Sequence, residues 1–325
     1  MKIFDTAVRM AAAAVLIGFA CSVAAQQAYP AKPIRLILPF TPGGTVDPLA
    51  RLIGGKLTES WGQPVVVENR PGGNTIVGTE AVAKSPADGY TLLVTPTAHV
   101  TNPLLLTAPY DAIKDFAPVA TLIRTEFLLV VNPSIPANDL RDFIAFAKSK
   151  PGELNYASFG TGGLAHLGTE LLSMTVGINM QHIPYKGTGP IVTDLIGGQI
   201  QVHFGPQSGI VPHVKTGKLK AIVISGEARS ADLPQVPTFT EAGMPGFSVT
   251  AWYGILAPAN TPKGIVDKLS AEIARILAMP DTRKNLASMG AGALISTPEQ
   301  FAALMKADMA KYAKVIKTAN IKIEQ

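Results

Sequence analysis

Two periodicities alternate along this chain. Short strand-like runs occur at 34–39 (IRLILP), 65–67, 90–95 and 126–131 (EFLLVV), then at 154–159, 180–185, 200–204 and 219–225. Their length and content read as buried β-strands. Between them, apolar residues recur at helical spacing over 49–61, 75–84 and 164–176. Asn138 is expected to cap a further helix whose apolar face is Leu140, Phe143, Ile144 and Ala147. Two long helices close the chain. Thr261-Pro262 opens the first, with Ile265, Val266, Leu269, Ile273, Ile276 and Leu277 on one face. The second opens at Thr297-Pro298-Glu299-Gln300, with Pro298 at the first helical position and Gln300 completing a capping box with Thr297. Its stripe is Phe301, Leu304, Met305, Met309, Tyr312, Val315 and Ile316.

Strands alternating with helices imply an α/β fold with mainly parallel sheets covered on both faces. Some 300 residues of this pattern exceed one sheet, so two domains are expected. No Pro/Ser/Gly linker separates them, which points to crossing strands as the connection.

Two strand-to-helix junctions echo each other. The first strand runs into Phe40-Thr41-Pro42-Gly43-Gly44-Thr45-Val46-Asp47, and the 154–159 strand into Phe159-Gly160-Thr161-Gly162-Gly163-Leu164-Ala165-His166. Each reads strand, Phe-x-x-Gly-Gly, helix. Glycine lets the backbone turn sharply and lets a ligand approach main-chain N–H groups. The helix that follows directs its unpaired N–H groups and positive dipole end to the same place, a natural site for a carboxylate or phosphate. Such junctions also lie at the carboxyl ends of strands, where ligands of open α/β sheets bind. A packing role for the glycines is the alternative. For Asp47, ahead of Pro48, a helix N-cap role is expected over ligand contact. His166 is open between touching a ligand and bracing its loop. Trp252 and Tyr253 read as core or cleft wall.

Other chemistry finds little support. Gly160 to Ala165 fits the dinucleotide pattern G-x-G-x-x-A, but no Asp or Glu lies between Glu170 and Asp194 to hold a ribose. The five histidines form no H-E-x-x-H pattern, and there is no G-x-S-x-G elbow. Ser158 lies near a candidate cleft without a triad partner recognisable from sequence. No metal and no cofactor are expected.

Charge and the N-terminus bound the class. The net charge is +5 and the basic residues are scattered, so no nucleic-acid role is expected. Lys2 and Arg9 precede an apolar stretch at 10–20, and Ser22-Val23-Ala24-Ala25 offers small residues for cleavage after Ala25. This reads as a secretory signal peptide over 1–25, hence export to the periplasm. Cleavage there removes Cys21, the one cysteine, and with it any disulfide or cysteine chemistry.

Longer segments then carry a resemblance: PFTPGGTVDPLARL (39–52), VVVENRPGGN (65–74), SPADGYTLL (85–93), SFGTGGLAHLGTELL (158–172), HIPYKGTGPIVTDLIGGQI (182–200), the 217–247 stretch and WYGILAPANTP (252–262). The chain resembles the Bug, or TctC-like, substrate-binding proteins of tripartite tricarboxylate transporters. The resemblance implies a type II-like Venus flytrap fold. The domains expected are 28–126 plus 254–325, and 127–253. It also implies a ligand site in which Phe40, Thr41, Gly43, Gly44, Thr45 and Asp47 form one wall, with Ser158, Thr161, Gly162, Gly163 and His166 on the other. Neither loop contains Arg or Lys, so backbone dipoles and water would hold the anion. The chain departs from many relatives in having Gly163 where they carry Ser, and PGGN at 71–74 where PGAGG is common. The function implied is periplasmic capture of a small organic carboxylate, a dicarboxylate or aromatic carboxylate, by a monomer that delivers it to membrane permease subunits. Presentation of the ligand to a membrane sensor kinase and a secreted hydrolase are the alternatives.

Overall fold

The computed structural model describes residues 29–40, 42, 46–185, 188–289 and 291–322; the expected signal peptide lies outside them. The first half opens with β1 (Ile34–Leu38), α1 (Val46–Trp61), β2 (Val65–Asn69), α2 (Ile76–Ala83), β3 (Thr91–Pro96) and the short α3 (Ala98–Thr101). The 16-residue β4 (Phe116–Val131) then leaves it. The second half holds α4 (Leu140–Ser149), β5 (Asn155–Ser158), α5 (Leu164–Val176), β6 (Gln181–Pro184), α6 (Thr188–Ile196), β7 (Val202–Pro206), α7 (Val211–Lys215) and β8 (Lys220–Ile224). The chain returns through β9 (Thr250–Pro258) and ends in α8 (Lys263–Ala278), α9 (Pro280–Ser288), β10 (Gly292–Ala293) and α10 (Pro298–Thr318).

The strands follow the order β2-β1-β3-β9-β4-β7-β5-β6, with β10 and β8 also on β4. β1 pairs in parallel with β2 and β3, and β5 with β6 and β7. Each half therefore has the parallel three-strand core that its strand–helix alternation implies. The sheet as a whole is mixed, because β4 and β9 run antiparallel to these cores and to each other. β4 is the shared element: its residues 116–126 pair with β9, and 127–131 with β7. This is a two-domain periplasmic binding protein fold.

Burial explains the elements. β1 and β3 are buried on both faces, as expected of parallel strands under helices. Leu49, Ala50, Ile53 and Leu57 of α1, with Leu269, Ile273 and Ile276 of α8, close the core of the first half. Phe127, Leu129, Phe143, Tyr156, Leu172 and Phe204 build that of the second. α10 has the expected capping box, with both reciprocal hydrogen bonds made. Its Phe301 and Met305 pack under Trp252, while Tyr312 and Val315 pack on Leu167 of α5, so one helix touches both halves. The N-cap of α4 is Asp139 rather than Asn138: the Asp139 carboxylate accepts the Asp142 N–H at 2.8 Å. No helix among the described residues is long and apolar enough to cross a membrane.

Candidate functional site

The second glycine junction is built from below. β5 ends at Ser158, and α5 starts at Leu164 with Gly163 as N-cap and no side-chain cap. Gly160 and Gly162 take φ of 122° and 80°, conformations that favour glycine. Ser158 Oγ accepts the Gly160 N–H at 3.1 Å and lies 2.6 Å from His182 Nε2. The Gly162 N–H donates to His166 Nδ1 at 3.0 Å, which requires that nitrogen to be unprotonated. The His166 and His182 rings stack at 3.8 Å, with Tyr156 tilted against both. The Tyr156 hydroxyl in turn donates to Glu170 at 2.5 Å. Burial, and for His166 the neighbouring His182, push both histidines well below their ordinary range, so both are held neutral.

His166 and Ser158 thus sit beneath the loop as braces. Ser158 and His182 stand as a nucleophile and base would, yet Ser158 is fully buried and its hydroxyl is tied to the loop it carries. His182 is a partner that sequence reasoning missed, for want of any spacing rule linking 158 to 182.

Of the first junction, Thr41, Gly43, Gly44 and Thr45 lie outside the described residues. Asp47 is buried in the first turn of α1, which begins one residue earlier, so it is not the N-cap. Its carboxylate takes both Arg51 Nε and Nη2, at 2.9 and 3.1 Å, and accepts from Asn69 Nδ2 at 3.2 Å. Asn69 Nδ2 also donates to the Phe40 carbonyl at 3.1 Å. Asp47, Arg51 and Asn69 therefore tie the start of α1 to the exit of β1.

Between the halves lies a cavity of about 390 Å³, within the range of small-molecule sites. Phe40, Pro96 and Pro206 bring to it the carboxyl ends of β1, β3 and β7, while Phe159 and Gly163 bring the loop after β5. Leu164 and Ala165 open α5 onto it, and Phe127, Ala251 and Tyr253 of the two long strands form its floor. Of the candidates, Phe40 and Gly163 line it; Thr161 and Gly162 share their loop; Ser158, His166 and Asp47 stand behind it. Thr97, Ala98 and Thr101 also line it. The sequence reading passed over this segment, although it follows the 90–95 strand and strand ends are where ligands gather. Tyr253 is a wall, and Trp252 is core.

Residues 49–321 match the profile of the tripartite tricarboxylate transporter family receptor, TctC. The protein BugT of Bordetella pertussis is 37% identical over 310 residues, covering 94% of this chain and 95% of BugT. A solved periplasmic transporter is 39% identical with TM-score 0.77, covering 91% of this chain and all of that one. R. palustris Rpa4515, solved with adipate, is 34% identical with TM-score 0.77, over 90% of this chain and 99% of its own. MatC of Rhodopseudomonas palustris, solved with bound malate, is 34% identical with TM-score 0.72, over 89% of this chain and all of its own. With sequence and fold in agreement over nine-tenths of its length, this chain belongs to the TctC/Bug family of periplasmic solute-binding proteins.

Proposed function

We propose that this protein is exported to the periplasm, captures a small organic carboxylate between its two halves, performs no chemistry on it, and delivers it to the membrane permease subunits of a tripartite tricarboxylate-type transporter. The observation that carries the reading is the cavity: strand ends from both halves and the N-terminus of α5 converge on it, and no charged side chain is among its described lining residues. An anion there would be held by main-chain N–H groups and the helix dipole, as at other helix N-termini. The adipate and malate in two relatives point to the same ligand class.

On this reading residues 28–126 plus 254–325 and residues 127–253 are the two domains, and the chain acts as a monomer. Phe40, Thr41, Gly43, Gly44 and Thr45, with Asp47 behind them, form one wall. Thr161, Gly162 and Gly163, braced by Ser158 and His166, form the other. A ligand touching both walls populates the closed state because it gains contacts there that the open state lacks.

A thermal-shift screen of carboxylates tests this directly. A ligand at 100 times its Kd adds about 2.7 kcal/mol of stability. Gly162→Val places a β-branched residue at φ 80° and is expected to abolish the shift, at a cost of about 1–2 kcal/mol to the unliganded protein. A folded Gly162→Val protein with wild-type affinity in calorimetry contradicts the site.

A further inference from the structure

We propose that the carboxylate this cavity takes is carried on an aromatic ring, and that Tyr253 is its specificity-determining residue. The inference rests on the proposed function and narrows it. Aromatic rings meet here from both halves: Phe40 follows β1, Phe159 follows β5, and Phe127 and Tyr253 lie on the crossing strands. Phe159 is 38% exposed, one of few large apolar side chains left in solvent among the described residues. Its ring stands edge-on to fully buried His203 at 5.6 Å, so its position is set from below. An exposed ring held in place at a cleft is a contact surface awaiting an apolar partner.

The polar groups are few. Thr97 Oγ1 accepts the Trp252 N–H at 3.0 Å and is occupied in tying α3 to β9. Gly163, Leu164 and Ala165 bring no side-chain hydroxyl to the lining, which leaves Thr101 beside Thr97. Tyr253 brings the phenol: burial raises it above its ordinary value, and it has no hydrogen-bond partner among the described residues. A phenol kept protonated in a largely apolar site is a donor suited to a carboxylate oxygen. A small hydroxylated dicarboxylate, by contrast, would leave the rings of Phe40, Phe127, Phe159 and Tyr253 without an apolar partner.

Calorimetry on the full mature chain with benzoate, adipate and malate tests the assignment. Benzoate is expected to bind at least about tenfold tighter than malate, and tighter than adipate. Tyr253→Phe is expected to weaken benzoate about tenfold, and Phe159→Ala to lower the benzoate-to-malate preference while circular dichroism stays native. Malate or adipate binding as tightly as benzoate overturns the ring assignment while leaving carboxylate capture standing. Unchanged benzoate affinity in Tyr253→Phe overturns the role of the phenol. Failure of all three acids to bind overturns both this inference and the function beneath it.

Discussion

His99, His166, His182 and His203 are structural bases kept uncharged by burial. His166 must accept the Gly162 N–H, and protonation would convert its Nδ1 from acceptor to donor and place a charge 3.8 Å from a stacked imidazole. Buried His99 and His203 are likewise pushed down, each to about 4, by desolvation. The ordinary value is 6.5, so as pH falls below it the unfolded chain takes up protons that the folded chain refuses. Stability is therefore full above about pH 6.5 and declines toward about pH 4, by on the order of 1 kcal/mol per pH unit for each such group. Urea unfolding at about pH 7.5 and about pH 5 checks this; a midpoint that does not fall at the lower pH contradicts it. Much of this residue-level detail was beyond the sequence. The glycine loops announced themselves, because strand, glycines and helix are contiguous. The Ser158–His182 contact joins two strands and the Asp47–Asn69 clamp joins a helix to a strand, and only the parallel pairing of β5 with β6 and of β1 with β2 makes them neighbours.

At the scale of elements, legibility tracked local chemistry. The capping box of α10 was readable because it needs only four consecutive residues. Thr297→Ala is expected to cost about 1 kcal/mol, read as a lower urea midpoint with an unchanged slope. β9 went unseen, since Gly254 at its centre reads as a break. A Cβ there would lie 2.4 Å from Phe301 Cζ, so the glycine serves the approach of α10 and not a turn. The first ten residues of β4 were also missed. Pro118 discourages a strand reading, yet it sits at a register irregularity, where a missing ladder donor is tolerated. α9 buries only Thr282 and Leu286, too little for an apolar stripe to show.

For the whole molecule, the two α/β halves followed from alternation alone, whereas the mixed sheet did not. Which direction a long apolar strand runs depends on where its partners return, and β9, which pairs with 116–126 of β4, lies more than a hundred residues away. If the halves swing together on ligand, the radius of gyration from small-angle scattering should fall when a stabilising carboxylate is added. A complex confirmed by calorimetry with no such change would argue against hinge closure. The packing of Tyr312 and Val315 on Leu167 sets a condition on that motion, because α10 must either travel with α5 or slide along it.

The place of β9 between β3 and β4 has a consequence for assembly. Residues 127–249 are continuous and borrow only Ala251 and the flank of Tyr253 from β9 to complete their main core. The other half has its first four strands early, but its sheet stays divided until residues 250–258 arrive and fill the slot. Joining a segment to partners so distant in the chain carries a large loop-closure entropy, so that step is intrinsically slow. The same insertion that makes two strands serve both lobes leaves the first lobe dependent on the last quarter of the polypeptide.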